Sequence, residues 1–334
     1  MSNTERDPAE IVSEPGGGTG VEVIVPREVP LGGLRAMRVR RTLPSRQRSL
    51  VGAWCFVDHY GPDEISDTGG MSVAPHPHTG LQTVSWLFTG EVEHRDSDGH
   101  QAMVRPGELN LMTAAHGISH SEVSAPSTTT LHGVQLWVAL TEGARNGRPG
   151  FEHYAPTPVR GAGWEARVFL GSLLGETSPV PTSTPLLGAE VLLEAGARLR
   201  LDVDAGFEHA VLVDTGAVTV DAAEVARGEL GCTTPGSSTL EIAAAEDSRV
   251  LVLGGPPFGE QIMMWWNFVG RSHDEIVAFR DEWQRQIATE ARVLADPQEV
   301  AAGRFGVVAG AHLPPIPAPE LPKVRLKLRG RTLG

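Results

Sequence analysis

The sequence predicts an all-β protein made of two related barrels, with one helix near its C-terminal end. Three observations lead there. Both halves consist of short apolar runs punctuated by Gly, Pro, Asp and Ser, an ordered internal repeat links the halves, and only one segment has helical periodicity.

A chain of 334 residues exceeds one typical core and suits two domains. The expected organisation is a disordered tail over 1–20, a first barrel over 21–158, a second over 159–296 that includes a helix over 273–294, and an extended tail over 297–334.

From Val21 to about His153, runs such as GLQTVSWLFTGEVEHRDSDG signal many short strands joined by hairpins, one of them turning at Ser97-Asp98-Gly99, where Asp-Gly suits positive φ. After the Pro- and Ser-rich GETSPVPTSTP, the same punctuation returns from about Leu186 to Leu253. VSWLFTGEVE followed by RPGELNLMT resembles VLVDTGAVTV followed by ARGELGCTT, with glycines matched at Gly90 and Gly216 and at Gly107 and Gly228. Two related barrels are the economical reading.

The helix opens at Ser272 with Glu275 three residues later, and Ile276, Phe279, Trp283 and Ile287 share one face. The final HLPPIPAPELPKVRLKLRGR is too rich in Pro for helix or central strand and should run extended over the surface.

Composition excludes several roles. A formal net charge of −13 repels phosphate backbones, so direct nucleic-acid binding is not expected. Arg35, Arg38, Arg40, Arg41, Arg46 and Arg48 do crowd one stretch, read as a solvated edge strand and loop. No stretch approaches the roughly 18 apolar residues of a membrane span. The first residues lack a basic region followed by an apolar one, so a cytoplasmic location is expected. Cys55 and Cys232, each in apolar surroundings, read as buried free thiols of a reducing compartment.

The chemistry lies in the histidines. Side chains at i and i+2 of a strand share a face, so His76 and His78 in APHPHTG would project together into a barrel. Alone, such a pair is as easily two hydrogen-bonded or exposed histidines. Partners appear in AAHGISHSEV, where His120 and Glu122 have the same spacing. Three imidazoles and one carboxylate suit a borderline divalent metal and leave two octahedral positions open for water, oxygen or a chelating substrate. A structural zinc would more often bring cysteines and close its shell at four. Ligand type ranks iron first, as Fe(II), then Mn, Ni or Cu, with Zn still open.

Taken together, PHPHTGLQTVSWLFTGEVEHRDSDGH, RPGELNLMTAAHGISHSE and GVQLWVAL resemble the bacterial pirins. The resemblance runs from LRAMRVRRTLPSRQRSLVGAWCFVDHYGP to GGPPFGEQIMMWWNFVGRSHDEI, most of the chain beyond the first twenty or so residues. It implies a bicupin, two tandem cupin-type (jelly-roll) barrels, with iron in the first on His76, His78, His120 and Glu122. It also implies a quercetin dioxygenase-like oxidoreductase acting on a small aromatic, flavonol-like substrate, in which Glu122 takes the substrate's hydroxyl proton. As the alternative, the family suggests an iron-dependent redox-sensing regulator that binds a transcription factor or metabolic enzyme, and a metal-stabilised fold without activity would carry the same ligands.

Thr79 and Gln82 stand where the family often has a basic residue and a glutamate, and His116 where Arg is common. GFEHAVLVDTG keeps only His209 and GCTTPGSSTLEI lacks a His-x-Glu pair, so the second barrel is expected to be metal-free. WWNFV (Trp265 to Val269) reads as core packing, and His59, His94 and His100 as surface or supporting hydrogen-bonding residues.

Overall fold

The computed structural model describes residues 2–3, 20–32, 37–292 and 303–329. Its regular structure is nearly all β, folded as two barrels of cupin type with a long helix that follows the second in sequence. Most of the expected N-terminal tail, residues 293–302 and residues 330–334 fall outside the described residues.

In the first barrel, the larger sheet runs in spatial order Ser2–Asn3, Arg27–Gly32, Met37–Leu43, Trp54–Glu64, Thr130–Ala139, Leu81–Thr89, Leu109–Thr113, Gly150–Tyr154. Facing it lies a sheet of Ser72–His78, Ile118–Ser124, Val92–Asp96 and Gln101–Val104. The second barrel repeats the plan. Its larger sheet contains Trp164–Leu170, Leu187–Leu193, Ser248–Gly255, Glu208–Thr215 and Leu230–Thr233; its smaller one is Arg198–Asp202, Thr239–Ala244, Val218–Val220, Ala223–Val225. Glu22–Ile24 adds to the second barrel's larger sheet through Glu22↔Cys232 and Ile24↔Leu230.

The internal repeat has a direct structural counterpart. Gly107 and Gly228 both take positive φ, 73° and 84°, and each donates its N–H back to the preceding long strand, Gly107 to Leu87 O at 3.1 Å and Gly228 to Val213 O at 2.7 Å. The Gly-Glu-Leu phrase is thus the same turn in both barrels.

The large sheets pack face to face: Trp54, Val57, Trp86 and Leu109 of the first share one core with Phe169, Leu186, Leu212 and Leu253 of the second. Trp54 Nε1 donates to Leu187 O and Gly254 O, each at 3.2 Å. The barrels come so close at Gly52 that a Cβ there would lie 2.7 Å from Gly255 Cα.

The arginine cluster does not form one solvated patch. Arg41 is buried in a bidentate pair with Asp58, at 2.6 and 2.7 Å, beneath the Phe56 ring. Arg48 bridges the barrels to Glu208 at 3.0 Å, and Arg40 reaches His59. Arg38, paired with Glu28, and Arg46 keep the expected exposed role, while Arg35 lies outside the described residues. Both cysteines are buried and unbonded to each other, and burial pushes each thiol up to about 12.

The helix spans His273–Arg292, and the Glu275 N–H bonds Ser272 Oγ at 3.2 Å as the capping signal predicts. Ile276 and Trp283 are buried on its inner face together with Trp265, Trp266, Phe268 and Phe305. Trp265, Trp266 and Phe268 of WWNFV therefore pack under the helix, whereas Val269 joins a core with Met112, Ile118 and Trp137 of the first barrel. No helix among the described residues is long and apolar enough to cross a membrane.

Candidate metal centre

The strand Ser72–His78 alternates Pro and His in PHPH, which only an edge strand tolerates because proline lacks an N–H for the ladder. It lies at the edge of the smaller sheet and pairs on one side with Ile118–Ser124, placing His120 opposite His76. Its other side is covered by the chain end, where Ile316 N donates to Pro75 O at 2.8 Å. A register shift between His120 and Glu122 turns Glu122 towards the neighbouring strand, opposite His94.

His76, His78 and His120 are fully buried, and their ligand-type nitrogens lie within 4.8 Å of one another. Burial, reinforced by the neighbouring imidazoles, holds all three well below the ordinary histidine value, so they are neutral near pH 7. Each Nδ1 has a partner: Ala74 O at 2.9 Å for His76, Asn267 O at 3.2 Å for His78 and His94 Nδ1 at 3.4 Å for His120. Carbonyl partners fix Nδ1 as the protonated nitrogen of His76 and His78, leaving each Nε2 as a bare lone pair.

Among the described residues, His76 Nε2 is buried without a hydrogen-bond partner. His78 Nε2 faces His120 Nε2 at 3.1 Å, an approach that either a proton on His120 Nε2 or a cation between the two rings would satisfy. Cis nitrogens around an ion with bonds of roughly 2.1 Å would sit about 3 Å apart, so the residues present fit a metal.

Glu122 is also buried. It accepts from Ser85 Oγ at 3.3 Å, and Ser85 in turn reaches Gln135 Oε1 at 3.0 Å. The carboxylate groups most closely with His120 and His94, so His120 belongs to both trios. His94, expected at the surface or as a supporting hydrogen-bonding residue, is buried against His120, and its Nε2 lies 3.4 Å from buried Asp96, which also bonds His100. The signal is present in the alternation of Val92, His94 and Asp96 on one strand face.

The departures from the family pattern have local uses. Thr79 pairs with the segment after the second barrel, Gln82 donates to Thr113 Oγ1 at 2.9 Å, and His116 Nδ1 lies 2.8 Å from Gly147 O.

In the second barrel, the counterparts of the two ligand-bearing strands are Arg198–Asp202 and Thr239–Ala244. Their buried residues are Leu199, Leu201, Leu240, Ile242 and Ala244, part of an aliphatic core. His209 lies on the neighbouring strand of the larger sheet.

His59, expected at the surface or in support, is fully buried where the barrels meet. His59 Nε2 and His132 Nε2 lie 2.7 and 2.6 Å from the same oxygen of Asp214, whose other oxygen accepts from Arg249 at 3.1 Å. The spacing would admit a cation. However, the Arg40 guanidinium lies 3.4 Å from both ring nitrogens of His59, and with Arg249 it opposes further positive charge. Although burial alone would raise the Asp214 carboxyl, its hydrogen bonds from His132 and His59 hold it far below the usual range. The arrangement is a clamp between barrels.

Comparison with known proteins agrees with this architecture. A family model described as Pirin matches residues 35–138, and a second, the Pirin C-terminal cupin domain, matches residues 188–288. A Pseudomonas aeruginosa protein described as "Putative quercetin 2,3-dioxygenase" is 39% identical over 300 residues, covering 90% of this chain and 90% of its own. A pirin-like protein of Caulobacter vibrioides is 36% identical over 255 residues, covering 74% of this chain and 88% of its own. The crystal structure of a quercetin 2,3-dioxygenase from Acinetobacter baumannii shares 36% identity and a TM-score of 0.81, covering 92% of this chain and 98% of that one. The chain belongs to the pirin family of bicupin proteins.

Proposed function

We propose that this protein is a metal-dependent dioxygenase acting on flavonol-type substrates, with Fe(II) held by His76, His78, His120 and Glu122. The observation that carries the reading is the set of neutral imidazoles whose Nε2 lone pairs converge in a buried interior, one of them orphaned. Three nitrogens and one oxygen, without sulfur, favour a borderline metal with open positions over a closed structural site. Similarity to proteins described as quercetin 2,3-dioxygenases supplies the substrate class.

A bound metal would supply Lewis acidity and a template for oxygen and a chelating substrate. The chain's own residues do the rest. His76, His78 and His120 retain the ion, their rings aimed by Ala74, Asn267 and His94. Glu122 accepts the proton of the flavonol hydroxyl, a role suited to a buried carboxylate that already accepts from the Ser85 hydroxyl. Apolar walls from Ile118, Met112 and Trp137 keep water from the reacting carbon.

The test is anaerobic purification, metal quantification by mass spectrometry, and oxygen uptake on adding quercetin to the same sample. Stoichiometric iron with turnover that disappears in His76→Ala supports the reading. Iron without turnover would shift it to an iron-dependent regulator, and the absence of bound metal would overturn it.

A further inference from the structure

We infer that the hairpin Met263–Gly270, which follows the second barrel, is a working part of the metal centre: through its Asn267 carbonyl it positions His78. The inference rests on the reading of His78 as a metal ligand and extends it to a segment that carries no ligand.

The three imidazoles are aimed in different ways. The partner of His76 is the carbonyl of Ala74, two residues back on the same strand, so its orientation is local. His120 leans on His94 of the adjacent strand. His78 alone depends on a distant element, Asn267 O at 3.2 Å. A carbonyl can only accept, so this contact forces the proton onto Nδ1 and turns Nε2 towards His120.

The hairpin is seated by several independent contacts. Val269 N donates to Thr79 O at 3.0 Å, Thr79 Oγ1 approaches Val269 O at 3.4 Å, and Thr79 and Phe268 form a parallel bridge. Gly80 has room for the hairpin only because it lacks a Cβ, which would fall 2.3 Å from Val269 O. Trp266 adopts a φ of 52°, costly for an aromatic residue, directly before the carbonyl that meets His78. Burial of Trp265, Trp266 and Phe268 beneath the helix, with Trp283 and Phe305, holds that turn in place. Asn267 is thus a positioning residue, and packing around the C-terminal helix is coupled to one ligand of the first barrel.

The test uses the full chain loaded with cobalt(II). Val269→Pro removes the N–H that reaches Thr79 without touching a hairpin hydrogen bond or a ligand. Thr79→Val is the milder variant, deleting only the hydroxyl. In the wild type, the Nδ1–H protons of His76 and His78 should give separate paramagnetically shifted, exchangeable proton resonances. Val269→Pro should shift or erase the His78 signal, leave that of His76, and speed cobalt loss to a chelator by about 10-fold or more, with Thr79→Val intermediate. Folding is checked by circular dichroism, and hairpin displacement by tryptophan fluorescence. Displacement of the hairpin with an unchanged His78 signal and unchanged cobalt release overturns the inference. A folded wild type that takes up no cobalt overturns the ligand reading itself.

Discussion

His59, on a strand of the first barrel, lies 2.7 Å from a carboxylate oxygen of Asp214 on a strand of the second, and both side chains are fully buried. His132 and Arg249 complete the coordination of that carboxylate. Removing it takes the shared acceptor from two buried imidazoles and leaves Arg249 with Glu190, at 3.2 Å, alone. Asp214→Ala is expected to destabilise the protein by on the order of 3 kcal/mol or more, read as a lowered midpoint of urea unfolding. A midpoint that does not move would mean that the junction's stability comes from its apolar contacts alone.

Stability should depend on pH with a defined sign. Burial lowers the values of His59, His76, His78, His120 and His209, so each is neutral when folded and takes up a proton on unfolding below about pH 6.5. The unfolded chain then binds more protons, and the metal-free protein should lose stability as pH falls from about 7 to about 5. Asp214, also depressed, adds to the loss only below about pH 4. Unfolding midpoints across this range provide the check, and a flat profile would contradict the buried neutral histidines.

Glu122→Gln keeps the shape and the Ser85 contact but removes the proton acceptor. Flavonol turnover should fall by about 100-fold or more while iron remains bound, whereas His76→Ala should lower iron content first. Full activity in Glu122→Gln would take the residue out of the chemistry.

Two glycines separate backbone strain from crowding. Gly99 has φ 93° and a Cβ added there would have nothing within 4 Å, whereas at Gly90, φ 85°, a Cβ would meet Thr130 O at 2.5 Å. Gly99→Ala should cost about 1–2 kcal/mol from conformation alone. Gly90→Ala should cost distinctly more, and equal midpoints for the two variants would show that the chain relaxes freely at Gly90.

Sequence patterns report local geometry well and long-range contact poorly, and the site shows both. The i, i+2 spacing of His76 and His78 and the capping pair Ser272 and Glu275 are local, and the structure places these residues as their spacing implies. The matched Gly-Glu-Leu turns are local as well. For His94 the sequence leaves surface and supporting roles side by side, because its polar hairpin context competes with its strand alternation; the structure places it buried against His120. His59 and Arg48 are misplaced by it because their partners, Asp214 and Glu208, come from the other barrel, and Arg41 because Asp58 meets it from the neighbouring strand, pairings that no spacing reveals. The Asn267 carbonyl leaves no trace in side-chain identity at all. In the second barrel, sequence comparison points to His209 for the equivalents of the ligand strands, one strand too late, because the repeat is recognisable only from Glu208–Thr215 onward.

The strand Glu22–Ile24 has a consequence for how the molecule is assembled. It is made early in synthesis yet pairs with Leu230–Thr233, among the last strands of the second barrel to emerge. Until then it has no partner, and once the second barrel forms without it, the edge at Leu230 is open to strands of other molecules. Cutting the gene between the barrels would therefore yield a second half with a missing border and a first half with a loose ribbon. Nascent chains should be most vulnerable to misassembly in the interval before these two ends meet.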